Sequence, residues 1–534
     1  MRKTSIHLFL LVAAFGAAAA VKAQVKESPM PRIEKKDGRF ALLVGGAPFL
    51  MLGAQVNNSS GWPAILPKVW PAMEFLHVNT VEIPVYWEQM EPREGQFDFS
   101  VVDTLLREAR AHHVRLVLLW FGTYKNGSQH YMPEWMKLQP QKYPHMTGKD
   151  GQAVDSPSPY AQATLDADKR AFTALMRHLK AIDPQRTVIM VQVENEPGTW
   201  GSVRDYSPEA NRLFAGPVPR DVAAAMGVQG AAPSANWQEV FGSEAEVCFH
   251  AWSVAKYVGA VAAGGKAVYP LPLYVNAALR DPIKPGEPGS YESGGPTDNV
   301  IPIWKVAAPA LDLVAPDIYM SDSRPYLKVL QLYSRNDNAL FVPETGGDKN
   351  TARFFFSALN LGAIGYSPFG MDYTRRHDPS KKPEEFLEPW ALNYRLIGPM
   401  DREIARLNFE GKLKAVVEEK GKALQTLEFG PWSAEVSYGA VWNRPGNGNP
   451  EPVGRALVAQ LGNDEFLVTG FFSRVKFRVT DPSSGKHMQY LRVEELNYKN
   501  GDGTPIRIWN GDQTDWGLDF GSEPQVVRVS LGTY

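Results

Sequence analysis

Apolar runs and amphipathic stretches alternate eight times between residues 40 and 399. The runs are short and rich in β-branched residues, which is typical of buried strands. They cover residues 49–53, 80–85, 115–120, 187–193, 273–276, 313–319, 339–343 and 363–366. Strand–helix alternation repeated eight times predicts an α/β fold, namely a (β/α)8 TIM barrel.

The stretches between the runs have the period of helices. Residues 101–112 place Val102, Leu105, Leu106 and Ala109 on one face, and residues 168–182 and 245–261 behave similarly. The alternative is a doubly wound sheet, which would need a glycine-rich turn after the first strand. That turn is Gly53-Ala54-Gln55-Val56-Asn57-Asn58, so the barrel is favoured. Insertions at 199–243 and 279–299 are rich in Gly, Pro and Ser and are predicted to form loops over the barrel mouth.

The pattern changes after about residue 401. Segments 432–442, 455–468, 470–480 and 488–496 alternate at period two, with turns such as Gly462-Asn463-Asp464 between them. This predicts a smaller all-β, sandwich-like domain without a concentrated set of ionisable groups. The expected organisation is a signal peptide at 1–23, a catalytic barrel at 24–400 and a β-rich accessory domain at 401–534.

The first residues have the pattern of a secretory signal. Arg2 and Lys3 precede the apolar segment 6–20, and Val21-Lys22-Ala23 forms a small-x-small cleavage site. The segment is short for a membrane span, which needs about 20 apolar residues. The sequence therefore predicts cleavage near Ala23, no membrane span, and a periplasmic or secreted protein.

Composition excludes several classes of function. The net charge is −2, and removing residues 1–23 takes away three basic residues and no acids, which gives −5. No basic tract suggests nucleic acid. Cys248 is the single cysteine, so no intrachain disulfide can form, and the ten histidines show no metal-ligand spacing. We expect no metal and no cofactor, and the sequence leaves the oligomeric state open.

Two glutamates stand where predicted strands end. Glu196 follows strand four and Glu344 follows strand seven, so both face the mouth where barrel enzymes place their chemistry. Two carboxylic acids across a cleft are what glycoside hydrolysis needs. One acid must be neutral to protonate the leaving oxygen, and the other must be ionised to attack the anomeric carbon. Each negative charge raises the proton affinity of the other group, which helps to keep one acid protonated.

The motifs around these acids resemble a known group of enzymes. Asn195-Glu196 with Glu344 resembles the clan of retaining (β/α)8 glycosidases, and the run 86–99 resembles the segment after strand two in β-galactosidases of glycoside hydrolase families 35 and 42. The run 192–196 is similar to family 35 in particular. The likeness covers residues 40–399, and the β-rich tail resembles that of a bacterial subgroup.

The resemblance implies roles for four residues. Glu196 would be the acid/base, Glu344 the nucleophile, Asn195 a partner of the sugar 2-hydroxyl, and Tyr319 the tyrosine that holds the nucleophile. One feature departs from family 35, whose Cys-Ala-Glu-Trp run grips galactose after strand three. The corresponding residues 120–127 contain neither cysteine nor glutamate. The sequence therefore predicts a subsite for the terminal sugar that is built differently from that of family 35.

Further candidates lie at the same rim. Trp120 could stack on the sugar or close the barrel, and Lys125 and Asn126 follow strand three at the mouth. Gln55 and Asn57 follow strand one and fit either a loop cap or a ligand contact.

The leading hypothesis is an exported retaining exo-β-glycosidase with a carbohydrate substrate. A β-galactosidase that removes terminal galactosyl residues from plant-type oligosaccharides or polysaccharide side chains, such as those of xyloglucan, fits the resemblance and the signal. Another exo-β-glycosidase (an arabinosidase or fucosidase) and a transglycosylase are the enzyme alternatives. The alternative of another class is a non-catalytic carbohydrate-binding barrel.

Overall fold

The computed structural model describes residues 27–374, 382–440 and 446–534. The predicted signal peptide at 1–23 lies outside these residues. Among the helices in them, none combines the length and apolarity that a membrane crossing requires.

The eight predicted runs form eight parallel barrel strands, which confirms the α/β barrel. Their order in space follows their order in the chain, from the first strand to the sixth and then to the seventh. The strands, in order, are Met51–Gln55, Thr80–Tyr86, Arg115–Lys125, Val188–Asn195, Leu273–Ala278, Leu313–Ile318, Phe341–Val342 with Glu344–Thr345, and Gly365–Tyr366.

The seventh strand closes the barrel in two halves. Pro343 interrupts it because proline has no amide hydrogen to donate. The half before Pro343 pairs with the eighth strand, and the half after it pairs with the sixth, where Glu344 lies opposite Asp317. The eighth strand pairs with the first. The strand that carries the predicted nucleophile is therefore the seam of the barrel.

Alternation along the strands separates two apolar layers. In the third strand Val117, Leu119 and Phe121 belong to the cluster inside the barrel. Leu116, Leu118 and Trp120 instead pack among the surrounding helices. This is the period-two pattern of a strand that is buried on both faces.

The helices predicted at 101–112, 168–182 and 245–261 are present, with the last two longer than expected. The first insertion contains three short helices, whereas 279–299 has neither helix nor strand. The α-helices are Trp70–Leu76, Trp87–Met90, Ser100–Ala111, Glu134–Lys137, Gln162–Ile182, Pro208–Phe214, Arg220–Ala225, Trp237–Phe241, Ala245–Val268, Ile301–Ala307, Ser323–Tyr333, Lys349–Ala352, Phe354–Asn360, Pro383–Ile397 and Asp401–Phe409.

Two small antiparallel sheets accompany the barrel. One precedes the first barrel strand and consists of Arg32–Lys36, Arg39–Val44 and Ala47–Phe49. The other is the pair His145–Thr147 and Ala153–Pro157, which lies in the connection after the third barrel strand.

The C-terminal region consists of two antiparallel sheets, so the predicted all-β architecture is confirmed. Their facing side chains form a separate apolar core that includes Trp432, Val436, Val468 and Phe477. The six-stranded sheet contains Leu413–Val417, Arg455–Gln460, Glu465–Phe471, Met488–Lys499, Asp502–Ile508 and Val526–Thr533, and the four-stranded sheet contains Leu424–Phe429, Trp432–Ser437, Ser473–Val479 and Leu518–Phe520.

The helix Asp401–Phe409 connects the barrel to the β-rich region. Its Arg402 donates hydrogen bonds to the carbonyls of Val44, Ala47 and Pro48, which belong to the N-terminal sheet. The buried Arg455 donates to Asn393 at 2.9 Å from the other side of the junction. The domain boundary at 400/401 stays a prediction.

A buried carboxylate fixes the start of the fourth strand. Asp183 accepts hydrogen bonds from the amides of Thr187 and Val188 at 2.9 and 2.8 Å, and Arg110 donates to it at 2.8 Å. These bonds set where the strand that ends in Asn195 enters the barrel.

We expect Asp183→Ala to lower the free energy of unfolding by about 3 kcal/mol, because two buried amides and Arg110 lose their partner. Urea unfolding followed by tryptophan fluorescence measures the change, with the exposed Asp166→Ala as the matched control. Equal stability of the two variants would contradict the role assigned to Asp183.

Candidate active site

The end of the fourth strand turns sharply at the predicted acid/base. Asn195 is the last residue of the strand, and both Glu194 and Glu196 have left-handed backbone conformations, with φ of 64° and 44°. Side chains larger than glycine rarely adopt this conformation, and such residues cluster at functional sites. The turn carries the chain out of the strand at Glu196, and Pro197 follows it.

Three carboxyl groups meet at the mouth of the barrel. One oxygen from each of Glu196, Asp317 and Glu344 lies within 4.8 Å of the other two. Asp317 and Glu344 are almost fully buried, at 3% and 7% exposure. The structure therefore brings the two predicted acids together and adds a third, Asp317, from the sixth strand.

Two hydrogen-bond donors hold the Glu344 carboxylate. Gln55 donates through Nε2 to Oε2 at 2.9 Å, and the Tyr319 hydroxyl donates to Oε1. Burial, and next the charge of Glu344, raises the pKa of Tyr319, so its hydroxyl keeps its proton and acts as a donor. Both Glu344 oxygens therefore act as hydrogen-bond acceptors, which is the geometry that positions a carboxylate nucleophile.

Glu196 and Asp317 are favoured in their neutral forms. Burial, and next the charge of Glu344, raises the pKa of Glu196 to about 7, while Lys125 opposes the shift. Burial, followed by the charges of Glu344 and Glu196, raises the pKa of Asp317 well above its usual range. One ionised and one protonated acid is the division of states that acid-assisted glycosyl transfer needs.

Asn276 connects Glu196 to Asp317. Its Oδ1 accepts from the Glu196 amide at 2.8 Å, and its Nδ2 donates to Asp317 Oδ2 at 2.6 Å. Asn276 lies within the fifth strand, so the fourth and sixth strand ends are aligned through the strand between them.

Lys125, Asn126 and Asn195 form a polar group on the Glu196 side. Lys125 donates through Nζ to Asn195 Oδ1 at 2.7 Å and also to Asn126 Oδ1. The buried Asn195 Nδ2 has no hydrogen-bond partner in the described part of the chain. That donor is available to a ligand hydroxyl.

Two sequence candidates lie outside this group. Trp120 is fully buried, donates to Asp168 at 2.9 Å and packs against Phe172 among the helices, so it has no exposed face to offer a sugar. The alternation of the third strand explains this, since Phe121 and not Trp120 points into the barrel. Asn57 donates to Asp372 through its amide at 2.7 Å and its side chain at 2.9 Å, which is the loop-cap arrangement.

Glu194 also points away from the cluster. Its carboxyl group accepts from the Tyr124 amide at 2.7 Å and lies near Asp168 on the helix side. The left-handed turn of the backbone separates it from Glu196, although the two residues are only two positions apart.

Two further residues near the cluster were not predicted. Asn276 is the last residue of the predicted fifth run, so its position at a strand end could have indicated it as a site residue.

Glu292 lies in the second insertion, is fully buried, and has neither carboxyl oxygen bonded to a described residue. Burial, and next the charge of Glu196, raises the pKa of Glu292, so its carboxyl group is favoured as neutral. The sequence of the second insertion has no hydrophobic periodicity that would have indicated Glu292 as a site residue.

The three clustered carboxyl groups are also the one set in the described ranges whose ligand atoms lie close enough together for a metal ion. Gln55, Tyr319 and Asn276 already donate to two of them, and Lys125 adds positive charge to the third. This donor set favours protons over a divalent cation.

Two family models match the chain. The β-galactosidase model of glycoside hydrolase family 42 matches residues 60–259, and a domain of unknown function (DUF5597) matches residues 390–521. The first match contains Lys125, Asn195 and Glu196 but ends before Glu344. The second covers most of the β-rich region.

The chain is similar to a curated β-galactosidase from Xanthomonas manihotis, with 33% identity over 147 residues. The match covers 26% of this chain and 22% of the relative, so the chain spans about a fifth of that protein's length.

Solved structures of similar shape include three β-galactosidases. The one from Bacillus circulans sp. alkalophilus has a TM-score of 0.47 at 13% identity and covers 66% of this chain and 57% of its own. Those from Rahnella sp. R3 and Marinomonas ef1 have TM-scores of 0.46 and 0.48 at 15% and 12% identity. They cover 70% and 69% of this chain, and 59% and 62% of their own. The predicted resemblance to the β-galactosidases is confirmed by the family match, which covers residues 60–259.

Proposed function

We propose that the protein is a retaining exo-β-glycosidase that removes terminal β-galactosyl residues from oligosaccharides. The observation that carries this proposal is the opposition of Glu196 and Glu344 within 4.8 Å, with donors on Glu344 and a raised pKa on Glu196. A non-catalytic sugar-binding barrel has no need of two opposed acids held in different protonation states.

The short separation favours retention of configuration. An inverting enzyme leaves about 6.5–9.5 Å between its carboxyl groups for a water molecule, whereas a retaining enzyme needs about 5–5.5 Å. In the first step Glu344 bonds to the anomeric carbon while the glycosidic bond breaks and Glu196 gives its proton to the leaving oxygen. In the second step water attacks the same carbon, Glu196 takes a proton from that water, and the bond to Glu344 breaks.

The family match and the curated relative support galactose as the sugar, since both carry the name β-galactosidase. The free Nδ2 of Asn195 supports a hydrogen bond to the 2-hydroxyl, which strengthens in the transition state. The signal-like sequence at 1–23 supports export, and with it a role on plant-type oligosaccharides or side chains such as those of xyloglucan.

Hydrolysis of nitrophenyl β-galactoside, α-arabinoside and β-fucoside tests the assignment. We expect Glu344→Gln to reduce kcat by more than about 10⁴-fold on the preferred substrate, because no nucleophile remains. We expect Glu196→Gln to reduce it by about 10²–10⁴-fold, the range for loss of an acid–base group.

Glu88→Gln provides the matched control, since Glu88 lies on the surface after the second strand. NMR of the first product should show the β-anomer. Release of the α-anomer first would contradict retention, and preference for another glycoside would exclude galactose. Wild-type rates in both catalytic variants would contradict the paired-acid mechanism.

The pH profile reports the proton on Glu196. Because its pKa is raised to about 7, Glu196 is protonated below pH 7 and loses its proton as the pH rises through that value. We therefore expect kcat/KM to fall above about pH 7. Asp317→Asn should leave this alkaline limb in place, because Asp317 is already neutral when its pKa is raised.

An ionised Asp317 would give a different result. Its negative charge would support the raised pKa of Glu196, and the asparagine variant would move the alkaline limb to lower pH. A shift of one pH unit or more in kcat/KM would contradict a neutral Asp317.

A further inference from the structure

Trp200 presents an unusually exposed indole ring four residues after Glu196. In the described ranges three tryptophans are more than 40% exposed, and Trp200 is the most exposed at 50%. Trp62 is stacked on Tyr86, whereas Trp200 has neither a ring partner nor a hydrogen bond among the described residues. Single exposed apolar side chains are common on protein surfaces, so it is the position of Trp200 close to the catalytic cluster, together with its exposure, that points to a ligand contact.

The residue that precedes Trp200 is anchored firmly. The amide of Thr199 donates to the Ser293 carbonyl at 2.7 Å, and the Ser293 amide donates back at 3.0 Å. The Thr199 hydroxyl also lies 3.0 Å from His250 Nε2. The backbone that leads into Trp200 is therefore held in an ordered turn, so that little backbone freedom would be lost on binding.

The ring lies on the Glu196 side of the catalytic cluster. It packs against Gly127, where a Cβ atom would stand 3.3 Å from Trp200 Cδ1, and the Gly127 amide donates to the Glu196 carbonyl at 3.0 Å. Gln55 and Tyr319, which donate to Glu344, instead lie at the end of the first strand and directly after the sixth. Trp200 is therefore connected through Gly127 to the acid/base and not to the nucleophile.

This location identifies the part of the substrate that the ring would meet. In the proposed reaction Glu196 protonates the leaving oxygen, while Glu344 attacks from the opposite face of the sugar. The leaving group must therefore lie on the Glu196 side, beside Trp200.

We propose that Trp200 is the platform for the leaving group, and that this group is the pyranose ring of a second sugar. A pyranose presents a flat C–H face that stacks on an indole ring, with its hydroxyl groups directed outward to water. The substrate class is then a β-linked oligosaccharide in which the residue next to the scissile bond is itself a sugar. This inference rests on the proposed function.

Two substrates with the same glycosyl group separate the contribution of Trp200. Lactose has a glucose leaving group that would stack on the ring, and β-galactosyl fluoride has a fluoride ion that cannot. We expect Trp200→Ala to lower kcat/KM for lactose by about tenfold or more, in line with the loss of an aromatic contact. The value for the fluoride should stay within about twofold of wild type, and Trp200→Phe should recover most of the lactose value.

Trp516→Ala serves as the control, because Trp516 is 44% exposed in the β-rich region. Its values on both substrates should match those of the wild type. An equal loss on both substrates in Trp200→Ala, or no loss on either, would overturn the platform while leaving the proposed hydrolysis intact. Failure of the wild type to hydrolyse either substrate would overturn both proposals.

Discussion

The site depends on the electrostatic cost of placing several carboxyl groups in one buried volume. Groups this close cannot all be ionised, so the protein must decide where the charge resides. Donors from Gln55 and Tyr319 draw the negative charge to Glu344, and that charge then raises the proton affinity of Glu196. The division of labour between nucleophile and acid follows from these contacts rather than from any difference between the two glutamates.

The barrel makes this arrangement stable because each group comes from a different paired strand. Adjacent strands have fixed registers, so groups at their ends keep fixed distances without a loop to hold them. Asn276 illustrates the principle, since it connects the strand ends on either side of its own. The first strand contributes Gln55 and the third contributes Lys125. Glu196 directly follows the fourth strand, and the fifth, sixth and seventh strands contribute Asn276, Asp317 and Glu344.

Much of this arrangement could be predicted from the sequence because each strand of a parallel barrel is buried on both of its faces. Such strands are continuous apolar runs that can be recognised in the sequence. All eight runs became strands, and the residues at their ends, such as Glu196, Glu344 and Gln55, therefore met at the mouth. Trp120 shows where position alone fails, because its side of the strand depends on the register and not on its distance from the end. Glu292 and Trp200 could not be placed at all, since they lie in insertions whose course is set by tertiary contacts such as the Thr199–Ser293 pair.

The division of the seventh strand at Pro343 has a consequence for assembly. Glu196 directly follows the fourth strand, whose two neighbours are present once the fifth strand has formed, whereas Glu344 lies on the divided seventh strand, where the barrel closes. The seam is fixed only when the eighth strand pairs with the first, which joins parts of the chain more than 300 residues apart. An incompletely closed barrel would still hold Glu344 beside Asp317 on the sixth strand, but it would lack Gln55, the donor that the first strand supplies to Glu344. The charge on the nucleophile is therefore fully supported only after the two ends of the barrel meet.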